Sequence, residues 1–300
     1  MEDGVIANSR YVVGRTGKED PILNEHKGNV IVDAWAQPAT KAASEKLPEV
    51  VRLFKQSGSA SLFETGLTTE QIIESMDSAG IQTSMLSAWH RPGQWIHTND
   101  DVAEMVSHYP GRFVGVAAVN LENPVEAVRE LKRAVMELGF KALRVVPWLW
   151  NRPPNDRFYF PLYVKCIELD IPFCTQVGHT GPLMPSETGR PIPYLDEVAL
   201  IFPELKIVGG HIGYPWTDEM IGLAWKHENI YIDTSAYLPR YYPPQLIHYI
   251  KTYGQDKVLF GTNFPQLLFA KCVEQAKELG LREEIEAKFF GGNAVRVFNL

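Results

Sequence analysis

Cysteine is scarce in this chain: Cys166, Cys174 and Cys272 are the three in 300 residues, and no two form a Cys-x-x-Cys pair. That excludes a disulfide framework and a thiolate zinc cluster, and fits buried thiols in a reducing compartment. Long apolar runs are missing as well. None approaches the roughly 20 residues that a membrane-spanning helix needs. The opening Met1-Glu2-Asp3-Gly4 has neither the basic start nor the apolar stretch of a secretion signal, so a cytoplasmic protein is expected. Positive charge is in deficit, 29 Lys and Arg against 36 Asp and Glu, for a net charge of −7. With no basic stripe, nucleic acid is an unfavoured partner. What remains is 45% apolar and 22% charged, the make-up of a globular protein with a large core.

The first 28 residues are polar and without period, and read as an N-terminal extension. From residue 29 to 300 the pattern repeats as one domain. Short apolar strands are predicted at 30–33, 83–88, 113–118, 142–146, 172–177, 206–209, 230–233 and 258–261. Helical spacing fills 69–79, 100–109, 124–138, 161–169, 193–202, 215–227, 243–252 and 266–279. Several of these helices start at proline, whose missing N–H costs nothing in a first turn. Eight buried strands alternating with eight helices predict an α/β fold, a (β/α)8 TIM barrel. The competitor, an open doubly wound sheet, gathers its polar groups at one switch point. Here they stand at strand ends along the whole chain. Residues 281–300 are expected to form C-terminal closing helices, broken at Gly291-Gly292-Asn293.

Two strands end in one phrase: Gly178-His179-Thr180-Gly181 and Gly210-His211-Ile212-Gly213. A histidine framed by glycines at a strand exit can reach the cavity where barrel chemistry sits. One such histidine is as often structural as functional; two in matched settings favour function. The other strand exits add Trp35 and Gln37, Trp89 and His90, Arg144, Asp233 and Asn263. Six of the seven tryptophans, Trp148 among them, fall at exits, loops or a helix start, which predicts an aromatic-lined pocket. Arg144 lies within a strand and needs a partner there. It is expected to grip a substrate carboxylate, with an ion pair to Asp33 or Asp233 as the structural alternative.

The segments Ile31-Val32-Asp33-Ala34-Trp35-Ala36-Gln37-Pro38, Gln176-Val177-Gly178-His179, Gly209-Gly210-His211-Ile212-Gly213, Tyr231-Ile232-Asp233-Thr234-Ser235 and Leu259-Phe260-Gly261-Thr262-Asn263-Phe264-Pro265 resemble the amidohydrolase superfamily. The resemblance is to the amidohydrolase-related branch that holds aminocarboxymuconate-semialdehyde and resorcylate decarboxylases, and it runs from about residue 30 to the C-terminus. It implies a metal ligand at His179 and a catalytic acid/base at His211. The chain departs from the pattern at two places. The family's His-x-His or Glu-x-His at the first strand is here Trp35-Ala36-Gln37, and its eighth-strand aspartate is Asn263. One of four expected ligands is kept, while catalytic zinc takes three protein ligands. The expectation is therefore a protein with no metal cofactor. The alternative is zinc or another divalent metal at His179, in a site rebuilt with His211 and Asp33 or Asp233.

Within the branch, Asp33-Ala34-Trp35 and Gly261-Thr262-Asn263 resemble members linked to hydrolysis of aryl β-ketoacyl thioesters. The leading expectation is a hydrolase or carbon–carbon lyase cleaving a C–C or acyl bond of an aromatic anionic substrate. In it His211 is the acid/base, His179, Gln37 and Asn263 orient water or an oxyanion, and Arg144 with the tryptophans holds the substrate. Two rivals are a metal-dependent decarboxylase with rearranged ligands and a non-catalytic barrel that binds an aromatic ligand. The resemblance also implies a homodimer.

Overall fold

A computed structural model describes residues 30–300. The expected extension over residues 1–28 lies outside the described residues. The strands are β1 (Val32–Ala36), β2 (Thr83–Ser87), β3 (Trp89–Arg91), β4 (Gln94–His97), β5 (Phe113–Ala117), β6 (Ala142–Val145), β7 (Phe173–Gln176), β8 (Ile207–Gly210), β9 (Ile230–Asp233) and β10 (Val258–Leu259). Eight of them pair in parallel in the order β1-β2-β5-β6-β7-β8-β9-β10. The ends of that order meet: Ala34 N donates to Phe260 O at 3.0 Å, and Asn263 N to Trp35 O at 2.8 Å. The sheet is thereby closed into the TIM barrel that the strand count predicts.

Each barrel strand is buried along almost its whole length, because helices cover its outer face and side chains fill the inner one. The filling is Val32, Met85, Val116, Cys174, Val208 and Leu259, closed below by Ala294, Val297 and Phe298 of the helix Asn293–Phe298. The chemistry is thus confined to the other end of the barrel, where strands exit. At the closing helices the structure differs from the sequence expectation. Gly291 and Gly292 do not break the chain but lie in a wide helical turn, Lys288–Gly292, that continues into Asn293–Phe298. A Cβ on Gly291 would collide with the Val30 carbonyl, so the glycine is there for close packing.

Two additions to the barrel shape the strand-exit face. After β1 come three short helices, α1 (Lys41–Lys46), α2 (Val51–Ser57) and α3 (Ala60–Thr65), before the first barrel helix α4 (Thr69–Ala79). After β2, the antiparallel hairpin β3–β4 carries Trp89, His90, Trp95 and His97. Neither addition is visible in the eightfold pattern. The helices α1–α3 are too short to show a period, although Thr40 caps α1 by accepting from Ala43 N. By contrast α4 has a full capping box between Thr68 and Gln71, and ends on Gly80 at φ 74°.

Candidate active site

The strand exits open into a cavity of about 1060 Å³, its mouth included. Gln37, Trp89, Trp148, Gln176, His179, His211, Tyr237 and Asn263 line it, and Ala43, Leu47, Val50, Leu53 and Phe54 form one wall. The sequence-expected group is therefore partly assembled. Gln37, Trp89, Trp148, His179, His211 and Asn263 face one volume. Trp35, His90, Arg144 and Asp233 do not.

Arg144 is 3% exposed and sits behind the cavity, against the expectation that it holds a substrate carboxylate. Its guanidinium carbon lies 3.8 Å from the centre of the Trp35 ring, and Nη1 donates to Ala36 O at 3.0 Å. No ion pair to Arg144 exists among the described residues. The reason is local. Trp35 packs against the strand of Gly210, where any Cβ would come within 2.6 Å of its ring, and it also meets His211, edge-on at 5.1 Å. Burial holds the Arg144 pKa down to about 10, and the charges of Asp233 and Asp33 act against that shift. His90 belongs to a smaller hollow with Arg144, packed between Trp95 at 4.5 Å and Trp150 at 5.5 Å.

The contact between Trp35 and Gly210 yields a prediction. Gly210→Ala is expected to destabilise the fold by about 1–3 kcal/mol, the usual penalty for overpacking a rigid core. Urea unfolding checks it, with an unchanged slope and a lowered midpoint as the expected result.

The histidines differ. His211 has a left-handed backbone, φ 71°, and so do its neighbour Ile212 at φ 54° and, across the cavity, Asn263 at φ 66°. Such geometry is costly for residues with a Cβ, above all a β-branched one, and gathers at functional sites. His211 Nδ1 is 2.8 Å from Ser235 Oγ, and the Ser235 hydroxyl in turn donates to Asp233 Oδ1. A serine hydroxyl has one hydrogen, spent here on Asp233, so Ser235 must accept from His211 Nδ1–H. The tautomer follows: His211 keeps a free lone pair on Nε2. Desolvation first, then the positive charge of Arg144, push its pKa down to about 3. Burial raises Asp233 to about 6, opposed by the two hydrogen bonds from Ser235 and by Arg144. Asp33 lies beneath, raised to about 7 by burial although Thr262 N donates to it at 2.7 Å.

His179 sits at the mouth, solvent-exposed, with Nδ1 3.3 Å from Tyr214 O and 3.1 Å from the Tyr237 hydroxyl. Gln37 Nε2 donates to Phe264 O at 2.6 Å and to Asn263 Oδ1 at 3.2 Å. Gln176 Nε2 is shared among the carbonyls of Val177, Gly178 and His179. Both amide nitrogens are thus committed, while Gln37 Oε1 and Gln176 Oε1 are buried without a partner among the described residues. Ser235, Tyr237 and Gln176 were not singled out from the sequence. Ser235 and Tyr237 lie in the turn after β9, where no strand or helix period marks a side chain as facing the site.

A parallel barrel with polar side chains gathered at its strand exits is the architecture of an enzyme. The amidohydrolase family model matches residues 77–300, and the chain belongs to that family, in its amidohydrolase-related branch. Among its relatives is the γ-resorcylate decarboxylase of Polaromonas sp., 28% identical over 75% of this chain and 85% of the relative. An uncharacterised TIM-barrel protein from Bordetella bronchiseptica superposes with a TM-score of 0.79 at 25% identity, covering 90% of this chain and 98% of that one. The 5-carboxyvanillate decarboxylase of Novosphingobium aromaticivorans, crystallised with manganese and a nitrobenzoic acid, superposes with a TM-score of 0.67. That match has 20% identity and covers 91% of this chain and 97% of that one. The protein is an enzyme of the amidohydrolase-related type.

The manganese in that structure, and in a dihydroxybenzoic acid decarboxylase from Polaromonas, overturns the expectation of a family member with no cofactor. Among the described residues no three His, Cys, Asp or Glu side chains stand together as a metal-binding group. His179 is flanked by the neutral amides of Gln37, Gln176 and Asn263, while both nearby carboxylates are engaged, Asp33 by Thr262 and Ser84 and Asp233 by Ser235. A hard divalent cation prefers carboxylate oxygens, and this donor set does not fit one.

Proposed function

We propose that the enzyme is a carbon–carbon lyase that decarboxylates a hydroxylated aromatic acid, with His211 moving the proton. The observation that carries this reading is the His211–Ser235–Asp233 chain, which presents the free Nε2 of His211 to the cavity. Among the described residues, no Lys, Arg, Asp or Glu side chain lines that cavity. Burial without a cation favours the neutral form of a bound carboxylic acid. The acid proton passes to His211 Nε2 and from there to the ring carbon that bears the carboxyl group. The C–C bond then breaks and its electron pair returns to the ring, releasing carbon dioxide and the protonated arene. The imidazolium that forms in between is stabilised through Ser235 by the Asp233 carboxylate. The γ-resorcylate and carboxyvanillate decarboxylases among the relatives support an aromatic acid as substrate.

The test is release of carbon dioxide from a panel of hydroxybenzoic acids, with Ser235→Ala beside the wild type. Loss of the hydroxyl leaves His211 without its tautomer-fixing partner, so kcat is expected to fall at least about tenfold with KM little changed. The pH profile is a second check. Uptake of the neutral acid makes kcat/KM drop about tenfold per pH unit above the substrate's own carboxyl pKa. A rate independent of pH between 5 and 8 would remove the neutral acid from the mechanism.

A further inference from the structure

We infer that Gln266 recognises the substrate: its side-chain nitrogen donates a hydrogen bond to the carbonyl oxygen of the carboxyl group that is lost. The inference rests on the aromatic-acid reading of the site and adds the group that holds the acid from its carbonyl side. It follows from the wiring of three carboxamides at the exits of β1 and β10. Phe264 O is a carbonyl and can only accept, so the atom of Gln37 that lies 2.6 Å from it is the nitrogen. That nitrogen also reaches Asn263 Oδ1 at 3.2 Å, so Asn263 meets Gln37 with its oxygen. The other side of the Asn263 amide is therefore Nδ2, which donates to Gln266 Oε1 at 2.6 Å. Each amide fixes the next, and a backbone carbonyl decides which way Gln266 is turned.

What this chain of amides leaves over is Gln266 Nε2 with both its hydrogens. No acceptor faces it among the described residues. Gln266 lines the cavity and is half-buried. Its nitrogen is not one of the polar atoms closed off from solvent, as the oxygens of Gln37 and Gln176 are. The backbone that carries it is pinned on both sides, with Gln266 N donating to Asn263 O at 2.9 Å and Gln266 O accepting from Ser59 Oγ at 2.9 Å. A donor so placed is an uncharged counterpart of the arginine that commonly grips a carboxylate, and it suits a neutral acid. Such an acid offers one O–H and one C=O. His211 Nε2 takes the first and Gln266 Nε2 meets the second. Carbon dioxide is a weaker acceptor than an acid carbonyl, so this bond is not strengthened as the C–C bond breaks. Gln266 is therefore a binding residue that acts on KM.

The test replaces the reacting acid by a methyl ketone, so that recognition is read apart from catalysis. 4-Hydroxyacetophenone and 4-ethylphenol share ring, hydroxyl and length, and differ by a carbonyl in place of a CH₂. Both are titrated by calorimetry against the full-length protein and two variants, and the readout is the ratio of ketone to ethylphenol affinity. Gln266→Met removes the donor without adding charge, and is expected to lower that ratio about two- to twelvefold, the net worth of one neutral hydrogen bond. Gln266→Glu is isosteric and keeps an oxygen for Asn263 Nδ2, but sets an acceptor against the ketone oxygen. Its ratio is expected to fall at least about fivefold. 4-Ethylphenol makes no use of the donor, so its unchanged affinity reports an intact cavity in each variant. On the best hydroxybenzoic acid found, Gln266→Met is expected to raise KM by about the factor that the ketone loses, with kcat little changed.

An unchanged ratio in Gln266→Met overturns the inference whatever Gln266→Glu does, because the added charge alone then accounts for the second variant. A raised ratio in Gln266→Glu overturns it as well. A ratio lowered in both variants, with no decarboxylation of any aromatic acid by the wild type, upholds the donor and removes the lyase reading. Decarboxylation by the wild type with an unchanged ratio in Gln266→Met does the reverse.

Discussion

Exchange of His211 for asparagine is expected to lower kcat by about 10²–10⁴-fold, the usual contribution of a positioned acid/base, and to leave ligand affinity nearly intact. The amide can keep the Nδ1 side of the arrangement, offering an N–H to the Ser235 hydroxyl, which already receives one from His211. What it cannot do is take up a proton where Nε2 stood. The backbone at this position, φ 71°, is one that asparagine adopts more readily than most residues, so the substitution is not expected to unfold the strand end. Kinetics on the best hydroxybenzoic acid found, together with titration of a non-reacting resorcinol ring followed by the fluorescence of the cavity tryptophans, separate chemistry from binding. Wild-type turnover in the variant would take His211 out of the mechanism. If neither protein turns over any acid while both bind the ring tightly, the barrel is a binding protein.

The pH dependence sharpens this prediction. Because His211 is held down to about 3, it stays neutral and able to accept a proton throughout the range above that value. Asp233, raised to about 6, is the member of the His211–Ser235–Asp233 relay that changes charge near neutrality. Protonation of Asp233 removes the negative charge that stabilises the imidazolium intermediate. An acid limb in kcat is therefore expected near pH 6 rather than near pH 3.

Much of the barrel was readable because a buried parallel strand leaves a short continuous apolar run, and eight of them recur between helices. The placement of His179 and His211 at the cavity was readable for a similar reason: glycine on either side of a polar residue at a strand exit is a local signal. The role of Arg144 was not. Its sequence position says that it is on a strand, but the direction of a buried guanidinium depends on what fills the space above it, here the ring of Trp35 against Gly210. The apolar wall from α1 and α2 was hidden too. Helices of six and seven residues give too few turns for an amphipathic period, although their buried residues Ala43 and Phe54 join the core as well as lining the cavity. Ser235 lay inside a recognised segment, yet its place between His211 and Asp233 is a tertiary contact between β8 and the end of β9. No spacing in the chain announces it.

Arg144→Met is expected to destabilise the fold by an amount that grows with pH: about 1–2 kcal/mol at pH 5, mostly lost stacking on Trp35, and about 3–5 kcal/mol at pH 8, the range found when a buried charge loses its compensating partner. Among the described residues the Arg144 guanidinium is the cation beside Asp233 that lowers its pKa, and Asp233 still titrates at about 6 in the folded protein, above the ~3.9 of an unfolded aspartate. A carboxyl raised in this way binds its proton more tightly when folded. Its contribution to stability is therefore fully present below pH 4 and is lost as pH rises through the folded-state value. Without Arg144 that value moves up further, and the loss at pH 8 deepens in proportion. At pH 5 Asp233 is mostly protonated, so little uncompensated charge remains to be penalised. Methionine keeps much of the side-chain volume over the Trp35 ring, which limits the packing change. Urea unfolding at the two pH values, compared with wild type under the same conditions, gives the two differences directly. An equal loss at pH 5 and pH 8 would show that the buried cation is not what keeps Asp233 ionised. The relay from Asp233 through Ser235 to His211 would then need another source of its negative charge.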